Sequence, residues 1–389
     1  MPRSDSRRIW TVAFARIFVA HFFLSISYFA MVLFPLYVQH LQGDEVDIGL
    51  LAATGLAAGI LLRWSTAPLW DRIDRRWLFL TGGILNLSGL LLMLQARGVS
   101  GLLFLAAALQ GAGGGVLFGT FFAVAAGLLP AERRSEGVGL FGISGLGGSY
   151  VGVWLGELVL AHGGFGWLFP TAAGAGLLSL LMSLRLPETR PLEGPSGDRT
   201  PDAPAGSFLR LWAISILFGA STSVARIFLA PFAEGLGIRP VWPFFLAYSA
   251  VAILLRLLAG SLPDRAGPRR VLWPALLCFA SGLLVLPSAR GPGHLMLSGV
   301  LCGAGHGYGF PILNALIVAR SGSGRERRHV GLFTSFLDVG GLIGGPVLGV
   351  VGRSHGYAGL FGCAGLTLAA GATLLIWLDG RLDRYHAGS

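Results

Sequence analysis

Arg63 stands where a charge is costly. It closes the apolar run Ile60-Leu61-Leu62, and Asp71-Arg72 begins eight residues later. The same Ile-Leu-Leu-Arg recurs from Ile253 to Arg256, with Asp264-Arg265 again beginning eight residues on. The copies are 193 residues apart, about half of a 389-residue chain. A charge found at the same place in both halves belongs to a shared scaffold. A charge found in one half only is the better candidate for binding or coupling.

Asp338 is such a lone charge; an offset of 193 pairs it with Gly145. An acid inside an apolar span faces a cavity and works there, or pairs with an interior arginine such as Arg63 or Arg256. Burial raises a carboxyl pKa, which suits it to take up and release a proton. Arginine does not deprotonate and the chain has no lysine, so a proton carrier has to be an acid or a histidine. Arg226 also lacks a twin. It could grip a substrate carboxylate with two prongs, or pair with Glu157 at similar depth. His21 and His306 fall near the middle of apolar runs, as cargo ligands or proton relays, or as hydrogen bonds between helices. Gln110 and Asn314 are weaker cavity candidates. Phe18, Phe22, Tyr28, Phe118, Phe121 and Tyr308 would wall a cavity, pack the core or meet lipid.

These residues need long apolar elements to hold them. The chain is 53% hydrophobic and 12% charged, with mean hydropathy +0.69, which excludes an ordinary soluble domain. Twelve runs are each long enough to cross a bilayer: roughly 11–37, 47–69, 77–96, 101–128, 137–160, 165–185, 209–234, 241–262, 271–289, 294–319, 330–352 and 357–378. Backbone groups in lipid must pair internally, so the runs are expected to be helices in an all-α membrane protein. The first run is too long for a signal peptide and lacks a small-residue cleavage site, so it reads as a retained span.

The net charge of +10 is carried entirely by arginine. About 21 of the 29 arginines fall at the termini and in alternate loops, against about four in the opposite loops: Arg97, Arg239, Arg290 and Arg353. That asymmetry predicts both termini in the cytoplasm of a bacterial inner-membrane protein and argues against a nucleic-acid partner. Without lysine, the glycine-rich stretch at 111–115 is no phosphate loop. Cys278, Cys302 and Cys363 have no metal-ligand spacing and read as packing residues. No metal cluster, nucleophile elbow or paired catalytic carboxylates suggest an enzyme.

One long polar stretch, rich in Pro, Gly and charge, interrupts the apolar pattern. It predicts a flexible cytoplasmic linker at 187–207 between six-helix halves at 1–186 and 208–389. Further anchors repeat: Gly111-Ala112-Gly113 with Gly303-Ala304-Gly305 at 192, Gly139-Leu140-Phe141 with Gly331-Leu332-Phe333 at 192, and Gly152 and Gly156 with Gly345 and Gly349 at 193. Parallel six-helix repeats suit alternating access around a site at mid-membrane.

The loop stretches Ala67-x-x-x-Asp71-Arg72-x-Asp74-Arg75-Arg76 and Gly260-x-x-x-Asp264-Arg265-x-Gly267-x-Arg269 resemble the signature of the major facilitator superfamily, and the likeness extends over essentially the whole chain. Ala67 and Asp74 replace two of its glycines. Within that family the chain is similar to bacterial arabinose-efflux-like drug and metallophore exporters, in PLYVQHLQGDEVDIGLL, AERRSEGVGLFG and SFLDVGGLIGGPVLG. The antiporter-associated Gly-Pro-x-x-Gly is complete at Gly345-Pro346-x-x-Gly349 and lacks its proline at Gly152-Val153-x-x-Gly156. The resemblance implies that Asp71 and Asp264 meet the positive N-terminal end of a neighbouring helix. Arg63, Arg72, Arg256 and Arg265 would share in a cytoplasmic gate, with anchoring at the membrane surface as the alternative.

The combined expectation is a monomeric, proton-driven exporter of small amphipathic or anionic molecules that uses no cofactor. Asp338 would couple the proton, with Arg226, His306, His21, Gln110, Asn314 and Glu157 around the cargo. A proton symporter importing a small organic anion is the alternative.

Overall fold

The computed structural model describes residues 9–66, 73–130, 133–186, 202–260, 262–322 and 325–386, without the side chains at 66, 134–135, 207, 264, 326–327 and 379–386. Among these residues every regular element is helical. α1 (Val12–Ala30) continues through a 3-10 turn into α2 (Phe34–His40). Then come α3 (Glu45–Thr66), α4 (Arg75–Met93), α5 (Gly101–Leu128), α6 (Arg134–Gly163) and α7 (Phe165–Ser183). The second series is α8 (Ala205–Gly235), α9 (Trp242–Leu258), α10 (Leu262–Ala266), α11 (Pro268–Val285), α12 (Pro292–Arg320) and α13 (Glu326–His386).

Ten helical stretches are long and apolar enough to cross a membrane. α9 is apolar but has 17 residues. α13 is two limbs broken at Gly356, where φ is 70° and ψ is 175°. With α9 added and α13 read as two limbs, each of the twelve apolar runs has its helix.

Local chemistry sets the ends. Thr11 Oγ1 accepts from the Phe14 amide at 3.1 Å to start α1, and Asp74 Oδ1 accepts from the Arg76 amide at 2.9 Å to start α4. Asp44 Oδ1 accepts from the Val46 and Asp47 amides at 2.9 Å, and the Asp44 amide donates back to Asp47 Oδ2 at 3.1 Å. That reciprocal cap starts α3. Between α6 and α7, Gly164 takes φ 64°, a backbone that glycine adopts readily.

By packing, the chain forms two compact units, Met1–Gly43 with Thr54–Leu192 and Asp44–Ala53 with Glu193–Ser389. The predicted chain-order division does not anticipate the move of Asp44–Ala53, the start of α3, into the second unit. There Gly49 lies against the Gly345 backbone, Gly349 against Glu45, and Arg353 Nη1 sits 3.3 Å from Asp44 Oδ2. Most of the expected linker, 187–201, lies outside the described residues. Its end departs from the flexible reading, because Ala203 donates to the Arg320 carbonyl at 3.0 Å and α8 already begins at Ala205.

The repeat is visible in how glycines bring backbones together. In the first unit Gly148 meets the Phe22 carbonyl and Ile26 amide; in the second, Gly340 meets the Ile216 carbonyl and Ala220 amide. Gly152 lies against Ile26 as Gly344 lies against Ala220. Gly111 abuts Gly55 and Gly303 abuts Tyr248; Gly113 meets Gly82 and Asn86 as Gly305 meets Ala275 and Phe279. Lipid supplies no hydrophobic drive between helices, so close backbone approach through small residues takes its place.

This packing corrects one register. Gly148 and Gly340 are 192 apart, so Gly152 answers to Gly344 and not to Gly345. Adjacent glycines at 344 and 345 make the two alignments indistinguishable by residue type. The counterpart of Asp338 is therefore the buried Leu146, not Gly145.

Candidate functional site

In the second unit, Arg226 comes from α8, Tyr248 and Arg256 from α9, and His306 from α12. Both guanidinium groups act electrostatically on the Tyr248 phenol and on the His306 imidazole. The Tyr248 and His306 ring centroids are 5.5 Å apart. Phe218 at 5.8 Å and Phe310 at 5.7 Å also flank the imidazole. Tyr248, Ala252 and Arg256 recur every four residues and share one face of α9. Ala252 on that face packs against Gly307 of α12, which sets the face towards His306.

The polar atoms here are under-used. Arg256 Nε and His306 Nδ1 are buried with no hydrogen-bond partner among the described residues. Arg226 Nη2 reaches Ser223 Oγ at a long 3.4 Å. Asn314, two turns beyond His306 on α12, has a buried Oδ1 without a hydrogen-bond partner among the described residues. Buried donors left unmade are costly, and cations in apolar surroundings call for an anion. Planar guanidinium forks match a carboxylate.

The first unit treats His21 differently. The ring is 3% exposed, and its Nδ1 lies 2.7 Å from Ser144 Oγ. It stacks on Phe141 at 4.6 Å, with Phe121 at 5.4 Å and Phe122 at 5.6 Å. Phe118 completes the aromatic wall at 6.4 Å. The equivalents of the other cluster residues are Val32 for Arg226, Gly55 for Tyr248 and Gly114 for His306, in the register that packing gives. The space beside Gly114 holds the Tyr28 ring, 3.0 Å from where a Cβ would stand. Only Arg63 repeats its partner, Arg256.

The other expected site residues are spread out. Asp338 is half-buried on α13, beside Leu337, whose backbone meets Gly219 of α8. Glu157 is half-buried on α6 and Arg63 on α3, both in the first unit. Gln110 begins at the crossing of α4 and α5, its Cβ 2.8 Å from where a Cβ on Gly89 would stand. Asp71 and Arg72 lie outside the described residues, as does the side chain of Asp264; Arg265 is exposed on α10. Tyr308, read as a cavity-wall, packing or lipid-facing residue, donates to the Ala259 carbonyl at 3.0 Å and ties α12 to the end of α9. Tyr248 and Ser144 escaped the sequence reading. The eight-residue interval from Tyr248 to Arg256 was the available signal; Ser144 offered none.

The model of the Major Facilitator Superfamily matches residues 17–253 and 211–388. The chain belongs to this superfamily. It is 27% identical to monocarboxylate transporter 13 of Rattus norvegicus, over 95% of this chain and 88% of that one. It is 26% identical to multidrug resistance protein MdtG of Salmonella choleraesuis, over 87% of this chain and 88% of that one. Among solved structures, the nucleoside transporter NupG aligns with TM-score 0.74 at 14% identity, covering 95% of this chain and 99% of that one. The human organic anion transporter MFSD10 aligns with TM-score 0.67 at 16% identity, covering 93% and 98%. These structures share the fold. Members of the superfamily are membrane transporters, not enzymes, and this chain is a multi-pass member.

Proposed function

We propose that this chain is a proton-coupled transporter of small amphipathic organic anions, working by alternating access in a bacterial inner membrane with both termini in the cytoplasm. One observation carries the reading: Arg226 and Arg256 both bear on His306, where buried donors have no protein partner among the described residues. A carboxylate accepts from Arg256 and Arg226, while its apolar remainder lies against Phe218, Tyr248 and Phe310. Asp338, the acid whose counterpart is Leu146, takes the proton, and the proton motive force serves in place of a cofactor.

Export in exchange for protons is the direction we favour, from the multidrug-resistance relative. Co-transport of anion and proton is the second reading, favoured by the relative named for monocarboxylates. The two differ in charge. Sending an anion out as one proton comes in moves two charges the same way electrically, about 4.6 kcal/mol at 100 mV. Moving both in one direction is electroneutral.

The test uses purified protein in liposomes with a panel of radiolabelled monocarboxylates. A valinomycin-set potassium potential is imposed at equal pH, and a pH step at zero potential. Exchange predicts flux that follows both. Co-transport predicts flux that follows the pH step alone. Flux that ignores both removes proton coupling, and no flux of any anion removes the cargo class.

A further inference from the structure

At the arginine-rich end of the second unit, the segment entering α8 is fastened to the loop between α12 and α13. Asp202 Oδ1 accepts from the Gly322 amide at 2.7 Å, and Oδ2 accepts from Arg325 Nη1 at 2.6 Å. Next to it, the Ala203 amide donates to the Arg320 carbonyl. His329, one turn into α13, turns its Nδ1 towards the same carboxylate at 3.9 Å. That nitrogen is buried and has no hydrogen-bond partner among the described residues. The imidazole face stacks on Phe208 of α8 at 4.7 Å and 20°, and Trp212 beyond it stacks on Phe336 of α13 at 4.8 Å.

We infer that Asp202 and His329 form a proton-sensitive latch, which holds the entrance of α8 against the α12–α13 loop and tightens as the surrounding medium acidifies. Histidine is the side chain that changes charge near neutrality. Protonated, His329 adds a cation beside a carboxylate that already accepts two hydrogen bonds, and the aromatic face below it favours the cation further. The charged groups nearest it in sequence on the elements around it are Arg320 at the end of α12, Arg325 in the loop, Arg328 on α13 and Arg210 on α8. These near groups are cations; among the described side chains the carboxylates further along the same helices are Asp338 on α13 and Glu234 on α8, and Asp202 is the one that lies 3.9 Å from the imidazole.

The carboxylate itself does not switch in this range. The Gly322 amide first, then Arg325 and His329, hold its pKa below the usual carboxylate value, so it stays charged from neutrality well into acid. Among the described residues the first unit shows no such device: the residue equivalent to His329 is Gly137, whose missing side chain makes room for Leu129.

Hydrogen–deuterium exchange on the purified chain in lipid nanodiscs tests this, once corrected for the intrinsic pH dependence of amide exchange. Protection of amides at 202–208 and 320–330 should rise roughly threefold from pH 8 to pH 6, the size of a partly exposed ion pair. His329→Phe keeps the stack on Phe208 and cannot titrate, so its protection should stay flat. His329→Gln serves the same purpose if the phenylalanine variant folds poorly. Asp202→Asn should lower protection at both pH values and abolish the rise. A flat profile in the unmodified chain overturns the latch, and so does an undiminished rise in a His329 variant.

Discussion

Ser144 Oγ lies 2.7 Å from His21 Nδ1, and that contact decides which imidazole nitrogen carries the proton. The hydroxyl gives its single hydrogen to the Phe141 carbonyl at 2.6 Å, so it can only accept from the ring. Neutral His21 is therefore protonated on Nδ1, and Nε2 keeps the lone pair.

Ser144→Ala should leave that Nδ1–H buried and unmet. A cost of about 1–3 kcal/mol follows, read as a fall in melting temperature in detergent. His21→Phe fits the aromatic surroundings and should hold the melting temperature within a few degrees. If transport falls while stability holds, the imidazole takes part in function; if both hold, its role is packing.

Arg256→Gln and Arg226→Gln should each weaken anion binding by about tenfold or more, the effect of losing a charge-assisted contact of roughly 1.5–3 kcal/mol. Titration calorimetry with the best-transported monocarboxylate measures it. Arg63→Gln, at the equivalent place in the first unit, should leave that affinity within about twofold. Equal losses at Arg63 and Arg256 would make both arginines scaffold.

Asp338→Asn should abolish uptake driven by a pH step while anion-for-anion exchange persists. Counterflow and pH-jump measurements on the same liposome preparation separate the two. Full pH-driven flux in this variant would move the coupling role to another group.

Gly303→Val would drive a branched side chain into the backbone at Tyr248, and Gly111→Val would do the same at Gly55. Overpacking typically costs about 1–3 kcal/mol, and backbone clashes lie at the upper end. Both variants should express poorly and melt several degrees lower. Gly174→Ala, with open space at its Cβ, should behave as the unmodified chain does.

Asp44 should give the fold an acid limit. The Asp47 amide foremost, with Arg353 and the Val46 amide, holds its carboxyl below the ordinary range. A depressed pKa contributes stability above the unfolded carboxylate value of about 4 and loses it as pH falls through the folded one. Thermal melts from pH 7 to pH 3 should show the loss below about pH 4. Asp44→Ala should cost about 1 kcal/mol at neutral pH, as an N-cap does, and should flatten that part of the profile.

Helix number, order and duplication were legible because membrane thickness and backbone pairing leave few options for an apolar run. The signature arginines were legible as a pair for the same reason. Register was harder. Gly344 and Gly345 are alike by type, and only the contact with Ala220 shows which one answers to Gly152. The cluster around His306 was half visible: Arg226 and His306 stood out as lone polar residues, while Arg256 looked like scaffold because Arg63 repeats it. Its neighbours differ, with Tyr248 standing where the first unit has Gly55. A residue's twin says nothing about what surrounds it. The Asp202 latch was invisible, since its members lie 120 to 127 residues apart in sequence.

In the register that pairs Ile26 with Ala220, Thr222 stands where the first unit has Tyr28, and the contrast between Tyr28 beside Gly114 and Thr222 with His306 bears on how such a chain can diversify. Duplication hands each half the same frame, and a given volume in it can be filled from either neighbouring helix. Where one half fills it with a ring from its first spanning helix, the other is free to bring in an imidazole from its fourth. Paired substitutions, Tyr28→Thr with Gly114→His, would then transplant the imidazole from one half to the other.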